Sequence, residues 1–279
     1  TDNPYVAAAR YYYGHISYDQ KKYQTAAETF NKISNDPQFG PLVPYYITQI
    51  LYLQGKYDQL LQYAPSVLDS APPKREDEIR KLIGDAYYET KQYDKALANL
   101  KSYLDRNQGS KEDFYQIGYA YFKTSNYEQA IKSLQKAVGD NDTLSQSAFY
   151  YIGESSIKIT NKQSAKLAFR NAFQLKVYPE ITVDALFNYA KTAYELSYHP
   201  YDDAILAFEE YINLYPNSTK INDAYEYLVG VYYTTKNYKE ALESILLIEN
   251  IVETIGWTLD YSALKIEEKP DNKELKSYF

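Results

Sequence analysis

Side chains that could do covalent or metal chemistry are scarce. Cys is 0 and His is 2, the pair being His15 and His199. That removes disulfides, thiolate zinc sites and cysteine nucleophiles, and it leaves too few imidazoles for most metalloenzymes or histidine-based triads. His15 reads as a surface or packing residue, and His199, just before Pro200, as a loop residue. Asp140 and Asp142 sit in a Gly-Asp-Asn-Asp-Thr stretch that lacks the spacing and closing Glu of a calcium loop, so they read as helix caps. Asp202 and Asp203 read as first-turn acids favoured by a helix dipole. No phosphate-cradling glycine loop or nucleophile elbow occurs. The sequence therefore points away from an enzyme, and no cofactor or metal is expected. What it does hold in excess is Tyr, 35 of 279 residues. A phenol offers broad apolar area and one hydroxyl at low entropic cost, so its chemistry is recognition.

Composition bounds the rest. Hydrophobic residues at 45% and charged residues at 24% are ordinary for a folded chain. The net charge is −7, with pI near 5.1 and no basic run longer than two, so no nucleic-acid partner is expected. No apolar run approaches the roughly 20 residues of a membrane helix, so no span is expected.

The tyrosines are positioned by a repeat. Segments beginning at Leu82, Gln116 and Tyr151 align, each with a Gly followed twelve residues later by an Ala: Gly84 and Ala96, Gly118 and Ala130, Gly153 and Ala165. Gly14 and Ala26 repeat the pair upstream. Ala204 and Ala241 continue the second position, with Leu60 there in the second unit and Thr48 in place of its Gly. Successive second positions lie 34, 36, 34, 35, 39 and 37 residues apart. Apolar residues at three- and four-residue intervals make each unit a pair of amphipathic helices. Polar turns such as Thr90–Gln92, Thr124–Asn126 and Thr235–Asn237 join the helices, and Pro or Gly falls mostly between units. A recurring Gly in a helix interior costs about 1 kcal/mol against Ala, which close helix packing would offset. Tyr23, Tyr57, Tyr93, Tyr127, Tyr201 and Tyr238 open the second helices and read as plugs between neighbouring hairpins.

These residues resemble the tetratricopeptide repeat family, a two-helix unit of 34 residues. Gly84, Tyr87, Tyr93, Ala96, Leu100 and Tyr103 carry the match in one unit, and Gly118, Tyr121, Tyr127, Ala130, Leu134 and Ala137 in the next. Ala204, Phe208, Tyr211 and the closing Pro216 carry it further on. The resemblance implies an all-α fold, a right-handed α-solenoid of about seven units over residues 1–250. Residues 251–279, with Trp257, are left as a capping helix, a truncated further repeat or a remodelled end. In the seventh unit Gly230 and Ala241 are only eleven apart, and Met is 0. A residue missing inside that helix would turn its face by about 100°, so a dropped residue is one reading of the irregularity.

The stretch from Tyr215 to Leu242, with its Pro-Asn-Ser and Asp-Ala-Tyr, resembles bacterial cell-envelope repeat proteins such as the outer-membrane assembly lipoprotein and Tol-Pal coordinator families. That resemblance implies a periplasmic or envelope location, with the cytoplasm as the alternative.

In such a stack the first helix of each unit lines a concave side. Three residues before the small position come Tyr11, Tyr45, Lys81, Tyr115, Tyr150, Phe187 and Tyr227. Four residues after it come Tyr18, Tyr52, Tyr88, Phe122, Ile157 and Tyr194. Seven residues apart, the two sets share a helix face, and their aromatic members form the expected partner-binding ladder. The family's terminal-carboxylate clamp is not expected, because Asp85 follows Lys81 by one turn and would repel a carboxylate. The function implied is a protein or peptide scaffold in envelope assembly. The alternative is a glycan- or peptidoglycan-binding module that stacks sugars on the same rings.

Overall fold

A computed structural model describes residues 5–68, 71–196 and 201–248, apart from 238, 242 and 246. Among the described residues there is no strand. The helices are α1 (Tyr5–Asp19), α2 (Tyr23–Asn31), α3 (Val43–Leu53), α4 (Tyr57–Val67), α5 (Pro73–Glu89), α6 (Tyr93–Leu104), α7 (Lys111–Lys123), α8 (Tyr127–Leu134), α9 (Thr143–Lys158), α10 (Lys162–Leu175), α11 (Pro179–Leu196), α12 (Asp202–Leu214) and α13 (Ile221–Thr234). Residues 239–241, 243–245 and 247–248 are again helical. The fold is thus the expected all-α solenoid class of helical hairpins. Its helices gather into two compact units, one ending at Val138 and the other starting at Gly139. The first holds hairpins α1–α2, α3–α4, α5–α6 and α7–α8. The second holds α9–α10, α11–α12, and α13 with the helical residues after it. Tyr238, Ser197–Pro200, His199, Trp257 and the end from 251 lie outside the described residues.

One backbone device makes the hairpins alike. In six hairpins the chain enters the left-handed region seven residues after the position that packs against the second helix: Lys21 (φ 60), Gly55 (φ 68), Lys91 (φ 60), Ser125 (φ 62), Thr160 (φ 61) and Lys236 (φ 64). That kink lets the next amide reach back to close the first helix, as in Gln92 N–H to Tyr87 C=O (2.8 Å) and Asn126 N–H to Tyr121 C=O (2.8 Å). The second helix then starts at once, with Ala96 N–H on Gln92 C=O at 3.0 Å and Ala130 N–H on Asn126 C=O at 2.9 Å. A connection this short fixes the angle between the helices. Thr90, Thr124 and Thr235 add hydroxyl bonds to the preceding turn, on Ala86, Ala120 and Val231 carbonyls.

The small positions do the packing expected of them. A Cβ on Gly84 would lie 2.8 Å from the Leu100 side chain, one on Gly118 2.5 Å from Leu134, and one on Gly153 2.6 Å from Phe169. The residue filling the gap is therefore one turn beyond the Ala. The Ala itself is sealed: Ala26, Ala96, Ala130, Ala165 and Ala204 are all fully buried. In the second unit of the repeat Thr48 is buried too, its hydroxyl donated to Pro44 C=O.

The seventh hairpin corrects the sequence reading. Among the described residues, a Cβ on Gly230 would meet nothing nearer than Tyr194 Oη at 3.7 Å, so Gly230 is not the packing residue. Val229 is, buried against Ile245 and Ile248. Val229 to Ala241 is twelve residues, and Val229 to the left-handed Lys236 is seven, as in the other hairpins. No deletion is needed.

Side chains cap some of the helix starts. Ser110 and Asp113 cap each other at the start of α7, and Asp142 accepts from Ser145 N–H at the start of α9 (2.7 Å). Asp202 and Asp203 occupy the first turn of α12. Gln146 is wholly buried between α9, α10 and α11. It donates to Ala172 C=O (3.0 Å) and Thr182 Oγ1 (2.8 Å), and it accepts from Tyr178 N–H (2.6 Å).

Candidate functional site: the tyrosine face of the first helices

The register set by the turns decides where each candidate ring lies. Tyr11, Tyr18, Tyr45, Tyr52, Tyr88, Tyr115, Phe122, Tyr150, Tyr194 and Tyr227 are half-buried, and Phe187 is buried. In five hairpins the ring four residues after the small position meets the tyrosine that opens the second helix. The pairs are Tyr18–Tyr23 (6.0 Å), Tyr52–Tyr57 (5.5 Å), Tyr88–Tyr93 (5.9 Å), Phe122–Tyr127 (6.0 Å) and Tyr194–Tyr201 (5.7 Å). Each ring is thus shelved on its own hairpin by an offset or edge-on contact. Tyr93 also plays the plugging part assigned to it, reaching Tyr119 of the next hairpin at 5.9 Å.

The rings three residues before the small position are held differently. Tyr11 stacks on Phe39 (4.8 Å), and its hydroxyl shares a hydrogen bond with Tyr46 (3.0 Å). Tyr45 lies under the Arg75 guanidinium at 4.1 Å. Tyr115 stacks parallel to Tyr119 at 6.1 Å. Tyr150 packs edge-on to Phe169 at 5.8 Å. Phe187 belongs to the interior, packed on Phe208 and Tyr211, and the half-buried Tyr227 stacks on Phe208 at 5.0 Å. Tyr227 is two residues before Val229, the register at which Tyr46 precedes Thr48. Tyr46 stacks on Phe30 in the same way, at 4.7 Å.

Between these rings lie carboxylates that the aromatic pattern did not single out. They follow the small position by one residue, as Asp85 and Glu154. Lys81 bridges Asp113 (2.7 Å) and Asp85 (3.2 Å), with both carboxylates almost wholly buried. Burial pushes the Asp85 carboxyl up, against the pull of Lys81. Asp113 is held below the usual range, because Lys81 and the Ser110 cap outweigh its own desolvation. Glu154 is likewise pushed up by burial and takes a hydrogen bond from Asn188 (3.3 Å). Tyrosine hydroxyls on this face resist ionisation. Tyr52 is raised to about 12 by burial and by Asp85 and Glu89, and Tyr88 and Tyr150 are raised further. The sequence signal was present in the Asp four residues after Lys81. What it lacked was Asp113, which comes from the next hairpin.

The surface can therefore offer rings, hydroxyls and carboxylates to a partner. Among the described residues no group of three or more His, Asp or Glu is placed to hold a metal ion, and no helix is long and apolar enough to cross a membrane.

Comparison with known proteins agrees with this geometry. A family model described as tetratricopeptide repeat matches residues 82–110, 114–141 and 184–218. The C-terminal part of a TPR repeat-containing protein from Cytophaga hutchinsonii is similar, with TM-score 0.60 and 19% identity, over 96% of this chain and 98% of that one. YrrB, described as a TPR protein with an unusual peptide-binding site, gives TM-score 0.59 and 19% identity over 72% of this chain and all of its own. MamA from Desulfovibrio magneticus RS-1 gives 0.51 and 18%, over 61% of this chain and 94% of that one. At these identities the likeness is one of fold. No curated protein matches the chain.

Proposed function

Since the chain is a tetratricopeptide-repeat protein, we propose that it is a non-catalytic scaffold that binds a peptide or protein segment along the tyrosine face of its first helices. One observation carries this reading. Hairpin after hairpin places an aromatic ring at the same helix position and props it on a second tyrosine, leaving it half-covered. In four hairpins the Gly, Ala and Leu or Phe positions already close the helix pair, and the rings pack over that contact from outside. Rings fixed in advance lose little entropy on binding. The solved likeness to YrrB, a peptide-binding TPR protein by its own description, supports the same reading. An envelope location rests on the Tyr215–Leu242 resemblance alone and is part of the proposal.

Peptides selected from a displayed random library on the full chain test it. Tyr88→Ala and Tyr115→Ala, both in the first compact unit, should each weaken the selected peptides by about 5- to 100-fold, the range for an interface tyrosine, with helical content unchanged. Unchanged affinity in both variants would remove the tyrosine face as the site.

A further inference from the structure

We infer that the tyrosine face of the first compact unit holds a receptor for a cationic side chain of the partner, arginine or lysine, centred on Asp85. The inference rests on the peptide-binding reading above and names the chemistry of the guest.

Charge is left over at this point of the fold. Asp113 is the better served of the two: Oδ2 accepts from Ser110 N–H at 2.8 Å, and Oδ1 lies 2.7 Å from Lys81 Nζ. Lys81 reaches Asp85 only through Oδ2, at 3.2 Å. Asp85 Oδ1 is buried and has no hydrogen-bond donor, although the side chain is only 7% exposed. One lysine therefore serves two buried carboxylates, and Glu89, one turn after Asp85 and exposed, adds a third negative charge. A buried carboxylate lacking full compensation costs stability, and an incoming cation would recover that cost.

The surroundings suit such a guest. Asp85 and Glu89 lie close enough to the Tyr52 hydroxyl to oppose its ionisation, and Glu89 does the same at Tyr57, Tyr88 and Tyr93. The carboxylates thus sit among aromatic rings, whose faces attract a guanidinium or ammonium group. Guanidinium is weakly hydrated and planar, so it is the easier of the two to bring into a partly dry site. The net charge of −7 attracts a basic segment from a distance. In the resting protein Lys81 occupies the site in part; on binding it stays with Asp113, its closer partner, and the guest takes Asp85.

The experiment pans a random dodecapeptide library, displayed on phage, against the full chain, against Asp85→Asn and against Glu89→Gln. Peptides selected on the wild type should be enriched in Arg or Lys at one position. Replacing that Arg by citrulline, or Asp85 by Asn, should weaken binding by roughly 30-fold or more, as expected when one partner of a buried charge pair is removed. Glu89→Gln is a surface change that leaves folding intact, and it should weaken binding by a smaller factor that vanishes at high salt. Selected peptides that depend on Tyr115 but carry Arg and Lys only at library frequency, or bind equally with citrulline, would overturn the cation receptor and leave the tyrosine face standing. Selected peptides indifferent to Tyr88→Ala and Tyr115→Ala would overturn both.

Discussion

Two glycines in equivalent-looking sequence contexts should respond to the same substitution with opposite signs. Gly118→Ala places a methyl 2.5 Å from Leu134 Cγ and 3.0 Å from the Leu134 backbone nitrogen. The side chain can turn away from that methyl, but the backbone of α8 cannot. Overpacking of this kind costs about 1–3 kcal/mol, and the better helix propensity of Ala returns about 1 kcal/mol. The net expectation is a loss of up to about 2 kcal/mol. At Gly230, among the described residues, the added methyl meets only Tyr194 Oη, at an ordinary 3.7 Å. There the propensity gain stands alone, and Gly230→Ala should stabilise by up to about 1 kcal/mol. Urea denaturation followed by circular dichroism measures both, and the slope of each transition should match that of the wild type. Because repeat arrays can unfold piecewise, amide exchange in α7–α8 and in α13 localises the change. Stabilisation by Gly118→Ala would refute the packing account of the repeat's glycine. Destabilisation by Gly230→Ala of the same size would restore Gly230 as the packing residue and refute the register based on Val229.

Gln146→Leu should cost about 2–4 kcal/mol in urea denaturation despite its similar volume, because it strands the buried Ala172 carbonyl and Tyr178 amide; a loss below the error of the measurement would mean water takes over those groups. Alkaline pH should unfold the chain. Tyr52 is raised from 10.0 to about 12, and Tyr46, Tyr88, Tyr150 and Tyr232 are raised as well. Above pH 10 the unfolded chain loses these phenolic protons while the folded chain keeps them, so stability is lost as pH rises through that window. Tyrosinate absorbance should then climb together with loss of helix; smooth titration near 10 with helix intact would contradict it.

The hairpins, their boundaries and the two aromatic registers were legible because they depend on spacing alone. Gly at one position, a sealed residue twelve later and a helix-opening tyrosine define a helix pair without knowledge of its neighbours. The turn was harder to read. Five of its six described left-handed residues are Lys, Ser or Thr, and only Gly55 carries the usual signature. The strain at those positions is accepted because the closing bonds on either side fix the backbone there, and that is a property of the closed hairpin. The register of the seventh hairpin misled for a related reason. Gly230 looks like a packing glycine, whereas Val229 does the packing, and only the facing Ile245 and the left-handed Lys236 distinguish them.

By itself, then, the sequence determined the period of the repeat, the pairing of helices within a unit and the face on which aromatics accumulate. All of these are local, set by the rotation of a helix and the length of a turn. Tertiary structure decided which of those rings remain half-open and which are core. Tyr227 and Tyr115 read as the same kind of residue, yet Tyr227 stacks on Phe208, whereas Tyr115 stacks on Tyr119 of its own helix. It also decided where charge is left uncompensated. Lys81 and Asp85 are four residues apart and would neutralise each other on an isolated helix. Asp113 arrives from the next hairpin, takes the lysine at the shorter distance, and leaves a buried carboxylate oxygen without a donor. A balance among three groups drawn from two hairpins has no trace in local spacing, because it depends on how closely the hairpins stack.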